Sequence, residues 1–392
     1  MSALVSDRAV CGVGTSGGPD ARAAAEQAVT RALERLDGRT PDLVLVYASV
    51  RYDLKTVVST IRAATGDAAL AGASTAGQLH CGDLTAPGDG VAVLALAGGG
   101  YRFGVAHVDD AFSDPDRAGS DLARAARAAA GRERAPHEAV VVFSDGIAGD
   151  QQGLLTGIHK ITGFAVPVIG GAASDDRQLR ETFVFAGDRV LTRAAVAVWV
   201  GSSRPLRVVD GHGWRPTSLP LMVSDVDGAV VRELGGRPAR EVYEEHFQTD
   251  PPDLDTCRSD RYHPTHAFGV IQPDGKLVIR AAFVDEEGNL VTLSPMPPYA
   301  AVHVVSVVPD DLLAVGDETV SAAVDGADPA VVLVFDCVAR LDILGERGPE
   351  EARRLQRAAG TAPVFGFYTY GEFARTTGVA GYHNASIAAM AL

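Results

Sequence analysis

Uninterrupted apolar runs of strand length, separated by helical stripes or glycine turns, set the fold class of this chain. Leu43–Ala48, Val91–Ala97 and residues 139–143 and 195–200 are continuous, and residues 70–74 are nearly so, the pattern of strands buried on both faces. Between them, residues 21–36 place Ala21, Ala24, Ala25, Ala28, Val29, Ala32, Leu33 and Leu36 on one helical stripe. Residues 54–64, 116–130 and 151–161 read as further helices, and Arg102–Val108 as a strand joined to Val91–Ala97 by Gly98-Gly99-Gly100. Residues 182–200 read as an antiparallel meander turning at Gly187-Asp188. The second half is richer in hairpins, with turns at Asp227-Gly228 and Asp274-Gly275. Strands are expected at 267–271, 278–283, 302–308, 331–335, 364–368 and 385–391, and helices at 238–247, 310–323 and 349–359. The class is α/β (α+β), layered, with mixed sheets and flanking helices.

With 392 residues, 46% of them hydrophobic, the chain has material for two cores. Pro205, Pro216 and Pro220 interrupt the pattern and suggest two units, 1–210 and 211–392, divided near 205–220 and packed over a large interface. No stretch reaches the roughly 18–20 apolar residues of a membrane helix, and residues 1–10 lack the layout of a secretion signal. Cys11, Cys81, Cys257 and Cys337 are widely spaced, with no C-x-x-C, which argues for reduced thiols and a cytoplasmic location. A formal charge of −15 repels phosphate, making nucleic acid and anionic membrane poor partners.

Gly12-Val13-Gly14-Thr15-Ser16-Gly17 has the dinucleotide-binding spacing. The next strand, however, ends Tyr47-Ala48-Ser49 without the acid that would hold a ribose, so these glycines are expected to make a turn. Two similar segments, Gly72-Ala73-Ser74-Thr75-Ala76-Gly77 and Gly170-Gly171-Ala172-Ala173-Ser174-Asp175-Asp176, follow buried strands and are read as loops bearing hydroxyls. His263-Pro264-Thr265-His266, near Cys257, has ligand-like spacing, but its proline and polar setting favour a solvated loop over 249–264. The last sixty residues concentrate polar groups between apolar runs: Asp336, Cys337 and Arg340, then Tyr370 and Glu372, then His383 and Asn384. That distribution is more typical of a ligand pocket than of a fold requirement.

These segments resemble the FIST (F-box and intracellular signal transduction) family. Phe335, Cys337 and Arg340 resemble a Phe-Ser-Cys-x-x-Arg strand end, with Asp336 in place of serine, and residues 366–372 match a Gly-Phe-Tyr-x-x-Gly-Glu hairpin. His383-Asn384 matches the terminal pair, although Ala385-Ser386-Ile387 departs from the polar run that usually follows. His212-Gly213-Trp214-Arg215-Pro216 and Leu234-Gly235-Gly236-Arg237-Pro238-Ala239 resemble the family's seam. In the first half, residues 72–77 resemble a Gly-Cys-Ser-Thr-x-Gly-Glu loop, with Ala73 for cysteine and Gln78 for glutamate, and residues 167–176 a Pro-hydrophobic-Gly-Gly loop. The resemblance implies a sensory module that binds small ligands such as amino acids and signals through kinases, cyclases or other partners.

The expectation is therefore a stand-alone sensor without cofactor, acting through a downstream signalling protein. Its pocket would be built from Ser74, Thr75, Gly170, Gly171, Ser174, Asp175, Asp336, Cys337, Arg340, Tyr370, Glu372, His383 and Asn384. Arg340 would hold a carboxylate and Glu372 with Asp336 an amine, so an amino-acid-like zwitterion would fit. The first alternative, implied by the resemblance, is a haem-based nitric-oxide sensor using His212, His383 or Cys337. The second is an enzyme with Cys337 as nucleophile, His383 as base and the Gly170-Gly171 amides stabilising charge.

Overall fold

The computed structural model describes residues 8–131, 133–246, 262–285, 287–375 and 381–392. It is mixed α/β. The chain begins β1 (Val10–Ser16), α1 (Ala21–Glu34), β2 (Leu43–Ala48), α2 (Leu54–Thr65), β3 (Ala69–Ser74), β4 (Gln78–His80), β5 (Asp83–Thr85), β6 (Val91–Ala97). Asp20 caps α1 by accepting from Ala23 N at 2.8 Å. Gly12 and Gly14 lie inside β1 rather than in a turn. A Cβ at either would sit 1.9 or 2.0 Å from the Ala32 or Ala28 carbonyl oxygen of α1, so only glycine allows this helix so close. β1 pairs antiparallel with β6, so the parallel βαβ unit of a dinucleotide fold is not formed here.

The same order then repeats: β7 (Arg102–Val108), α3 (Pro115–Ala129), β8 (His137–Ser144), α4 (Gln151–Thr162), β9 (Val168–Ala172), β10 (Val184–Ala186), β11 (Arg189–Leu191), β12 (Ala195–Ser202). β7 pairs with β12 and not with β6, so Gly98-Gly99-Gly100 carries the chain between two sheets. The expected meander is divided likewise, β10 and β11 joining one sheet and β12 another.

A third copy opens with β13 (Val208–Gly211) and is interrupted by a barrel. The barrel comprises β14 (Arg215–Pro216), β15 (Leu221–Asp227), β16 (Val230–Leu234), β17 (Arg237–Pro238), α5 (Ala239–Glu244), β18 (Tyr262–Ile271), β19 (Leu277–Val284), β20 (Leu290–Thr292) and β21 (Ala301–Ser306). Pairing runs β15, β16, β20, β19, β18, β21 and back to β15, closing the ring. β18 starts at Tyr262, earlier than expected. Cys257 and positions 249–261 of the expected loop lie outside the described residues. The third copy resumes with α6 (Pro309–Val324), β22 (Val332–Cys337), α7 (Val338–Leu344), α8 (Gly348–Ala359), β23 (Val364–Thr369), β24 (Glu372–Arg375), β25 (Tyr382–His383) and β26 (Ile387–Ala391).

The three sheets have one topology: β1-β6-β2-β3-β10-β11, β7-β12-β8-β9-β24-β25 and β13-β26-β22-β23-β4-β5. Each is completed by a hairpin from another copy, so no copy covers its own sheet edge. The register repeats as well: Val46 lies opposite Gly72, Val142 opposite Gly170 and Val334 opposite Gly366. The expected division into 1–210 and 211–392 is corrected in this respect, because two sheets draw strands from both sides of it. Prolines mark the entry to an inserted barrel, and strand pairing ignores that seam. The inner faces share one core, in which Tyr47 stacks on Phe365 at 4.6 Å and Phe143 lies near Phe335 and Phe367.

Candidate ligand-binding site

The ends of β3, β9 and β23 are equivalent in the three copies, and they meet. Ser74 Oγ donates to Ser174 O at 2.7 Å and accepts from Phe183 N. Ser174 Oγ donates to Tyr368 O at 2.6 Å, and Thr75 Oγ1 accepts from Gln78 Nε2 at 2.8 Å. Asp175 accepts from the backbone of Leu179, Arg180 and Glu181 and from the Tyr370 hydroxyl. Gly170 and Gly171 belong to β9 itself, paired on one side with β8 and on the other with β24. Ser74 and Ser174 bind the copies to one another, and all of these residues are engaged with partners inside the chain.

Arg340 is paired with acids of the chain itself, although its Nη1 and Asp336 Oδ2 are left without a partner. Fully buried in α7, it donates Nε to Asp336 Oδ1 at 2.6 Å and Nη2 to Glu351 Oε1 at 2.5 Å and Leu312 O at 3.1 Å. Glu351 also accepts from the Tyr368 hydroxyl at 2.7 Å. The expected ligand fork is therefore corrected: Arg340 and Asp336 neutralise each other beneath α6 and α8. Both signals, a charge just past an apolar run and its partner four residues away, came from an internal ion pair.

A cleft of about 1980 Å³ opens between the barrel and the α/β body. Of the thirteen expected pocket residues, Cys337, Tyr370 and Asn384 line it. The sequence reading missed Arg280, which also lines it from β19. Arg280 is 7% exposed and donates Nη1 to Ile279 O at 3.1 Å and Tyr382 O at 3.2 Å. Its Nε has no partner, and no carboxylate among the described residues acts on its charge. Burial pulls its pKa down to about 10, opposed by Tyr382. The signal was present: Arg280 is the one charged residue in the run Val278-Ile279-Arg280-Ala281-Ala282-Phe283.

Behind the cleft wall, Glu372 accepts from Thr369 Oγ1 at 2.5 Å and from Ser386 N and Oγ at 3.1 and 2.8 Å. Burial nevertheless pushes its carboxyl up to about 7. Burial, reinforced by Glu372, holds the Cys337 thiol well above its ordinary value, so the thiolate is disfavoured. His383 Nε2 donates to Ala374 O at 2.9 Å, and His212 Nδ1 accepts from Trp214 N at 2.9 Å. Burial, helped by His383, lowers His212 to about 4. Among the described residues no histidine lines the cleft. Of the residues in the haem and nucleophile alternatives, Cys337 lines the cleft and His212 and His383 do not.

The chain matches the FIST N domain over residues 42–237 and the FIST C domain over residues 239–375; it belongs to the FIST family, whose domains are signal-transduction sensor domains. The boundary between the two matches falls inside the barrel, between β17 and α5. An uncharacterized protein of Mycobacterium tuberculosis (strain ATCC 25618 / H37Rv) is 31% identical over 231 residues, 58% of this chain and 57% of that one. An uncharacterized protein of Methanocaldococcus jannaschii is 29% identical over 153 residues, 38% of this chain and 28% of that one. The chain thus spans little more than half the length of its mycobacterial relative. Among solved structures, a cyanuric acid hydrolase from A. caulinodans is 12% identical with a TM-score of 0.27, covering 50% of this chain and 72% of that one. A second cyanuric acid hydrolase is 10% identical with a TM-score of 0.33, covering 98% and 99%. Likeness at that level carries no argument. No described helix is long and apolar enough to cross a membrane.

Proposed function

We propose that this chain is a small-molecule sensor whose ligand enters the cleft between barrel and α/β body and sets an anionic group against Arg280. The observation that carries this reading is a buried guanidinium with no carboxylate partner among the described residues, facing a large cleft. An unpaired buried charge is costly, and a ligand anion would offset that cost on binding. Because barrel and body each supply one wall, a ligand there would bias their relative position and so reach a downstream signalling partner. Native mass spectrometry on the chain and on Arg280→Met, purified alike from the source organism, tests this. A small anion retained by the parent and missing from the variant is the expected result. The same species retained by both would contradict it.

A further inference from the structure

We infer that the ligand is an amphipathic monocarboxylate, one carboxylate on an extended apolar body, and not the zwitterion expected from sequence. This rests on the Arg280 reading above and goes further by naming the ligand class.

Three observations lead there. First, the cleft is mostly apolar: Val270, Phe283 and Met296 form walls, and Ile147, Leu179 and Leu293 form the rim. The rim residues are 42%, 69% and 56% exposed, unusual for large apolar side chains grouped at one opening. Second, at about 1980 Å³ the cleft is larger than the roughly 300–1,000 Å³ typical of small-molecule sites, and a free amino acid would leave most of those walls wet. Third, an ammonium group is best held by an uncommitted carboxylate, and the acids that line the cleft among the described residues already hold partners. Asp342 pairs with Arg177 at 2.6 Å, Asp150 caps α4 through Gly153 N at 2.9 Å, and Asp285 holds the turn through the backbone N of Glu287 and Asn289. Asp336 and Glu372, the amine-binding pair expected from sequence, are fully buried and outside the lining. Among the described residues, one unpaired cation beside apolar walls fits one negative head on an apolar tail.

Calorimetry with octanoate, octan-1-ol, 2-aminooctanoate and acetate separates the parts of this inference, because the first three share one chain and differ in the head. Octanoate is expected to bind, with the alcohol, the amino acid and acetate each at least tenfold weaker. Arg280→Met should weaken octanoate about 30-fold or more, while Arg280→Lys retains most of the affinity. Phe283→Asn should weaken octanoate about tenfold through the tail. If 2-aminooctanoate or acetate binds as tightly as octanoate and still depends on Arg280, the amphipathic inference fails while the anion reading stands. If octanoate binds equally to parent and Arg280→Met, both fail. Absence of binding by all four overturns the inference, and the mass-spectrometric comparison then decides the anion reading separately.

Discussion

Two buried arginines divide this molecule into a closed region and an open one. Arg340, under α6 and α8, is surrounded by Asp336, Glu351 and a backbone carbonyl, and nothing outside the chain reaches it. Arg280, on the barrel, has among the described residues only two carbonyl oxygens as hydrogen-bond partners, with a cleft beside it. The residue type and degree of burial are nearly alike. What differs is the counter-charge: Arg340 has two carboxylates of the fold beside it, and Arg280 has none among the described residues, the place that the proposal gives to a ligand. Burial of a charge therefore says little about function until its partners are counted.

The largest expected effect lies in the closed region. Arg340→Met leaves Asp336 and Glu351 buried without their cation and should cost about 3–5 kcal/mol in urea unfolding. A loss below 1 kcal/mol would erase the distinction between the two arginines.

Next comes pH, where two buried groups act in opposite directions. A carboxyl raised to about 7, as in Glu372, stabilises the fold fully below its unfolded value near 4.5, and this contribution is lost as pH rises through 7. His212, lowered to about 4, contributes fully above 6.5 and loses its share as pH falls toward 4. Each is worth up to about 3 kcal/mol across its window. Glu372→Gln should therefore flatten the decline in stability between pH 4.5 and about 7, and His212→Gln the decline between pH 6.5 and about 4. Unchanged slopes in both variants would show that neither group titrates as described.

Gly366→Ala should cost about 1–3 kcal/mol, because its Cβ would lie 2.2 Å from Val334 O and press β23 away from β22, the strands that carry Tyr368 and Asp336. Gly72→Ala should behave alike, and Gly170→Ala should cost more, because its φ of +153° adds backbone strain to the same clash. The smallest effect is expected at the cleft rim, where the half-exposed Arg177–Asp342 pair should contribute under about 1 kcal/mol by double-mutant cycle.

Much of the strand and helix pattern was legible in the sequence because apolar runs and stripes have distinct periods; Leu43–Ala48, Val91–Ala97 and Arg102–Val108 were bounded as observed. The threefold interlock was not legible. Gly72, Gly170 and Gly366 share a register without sharing flanking sequence, and which strand completes which edge is a long-range choice that local pattern does not encode. At the site, Cys337, Tyr370 and Asn384 were found as polar residues at strand ends. Arg340 was misread because an internal ion pair leaves the same mark at a strand end as a binding group does. Arg280 was passed over because it sits inside a run that reads as an ordinary strand.

The contrast between the two arginines is tested most directly by urea unfolding of ligand-free Arg280→Met beside the parent. A cation that serves a ligand and not the fold can be removed without loss, so the variant's stability should equal or exceed the parent's. A loss of about 3 kcal/mol or more would place Arg280 with Arg340, as part of the scaffold, and contradict the account.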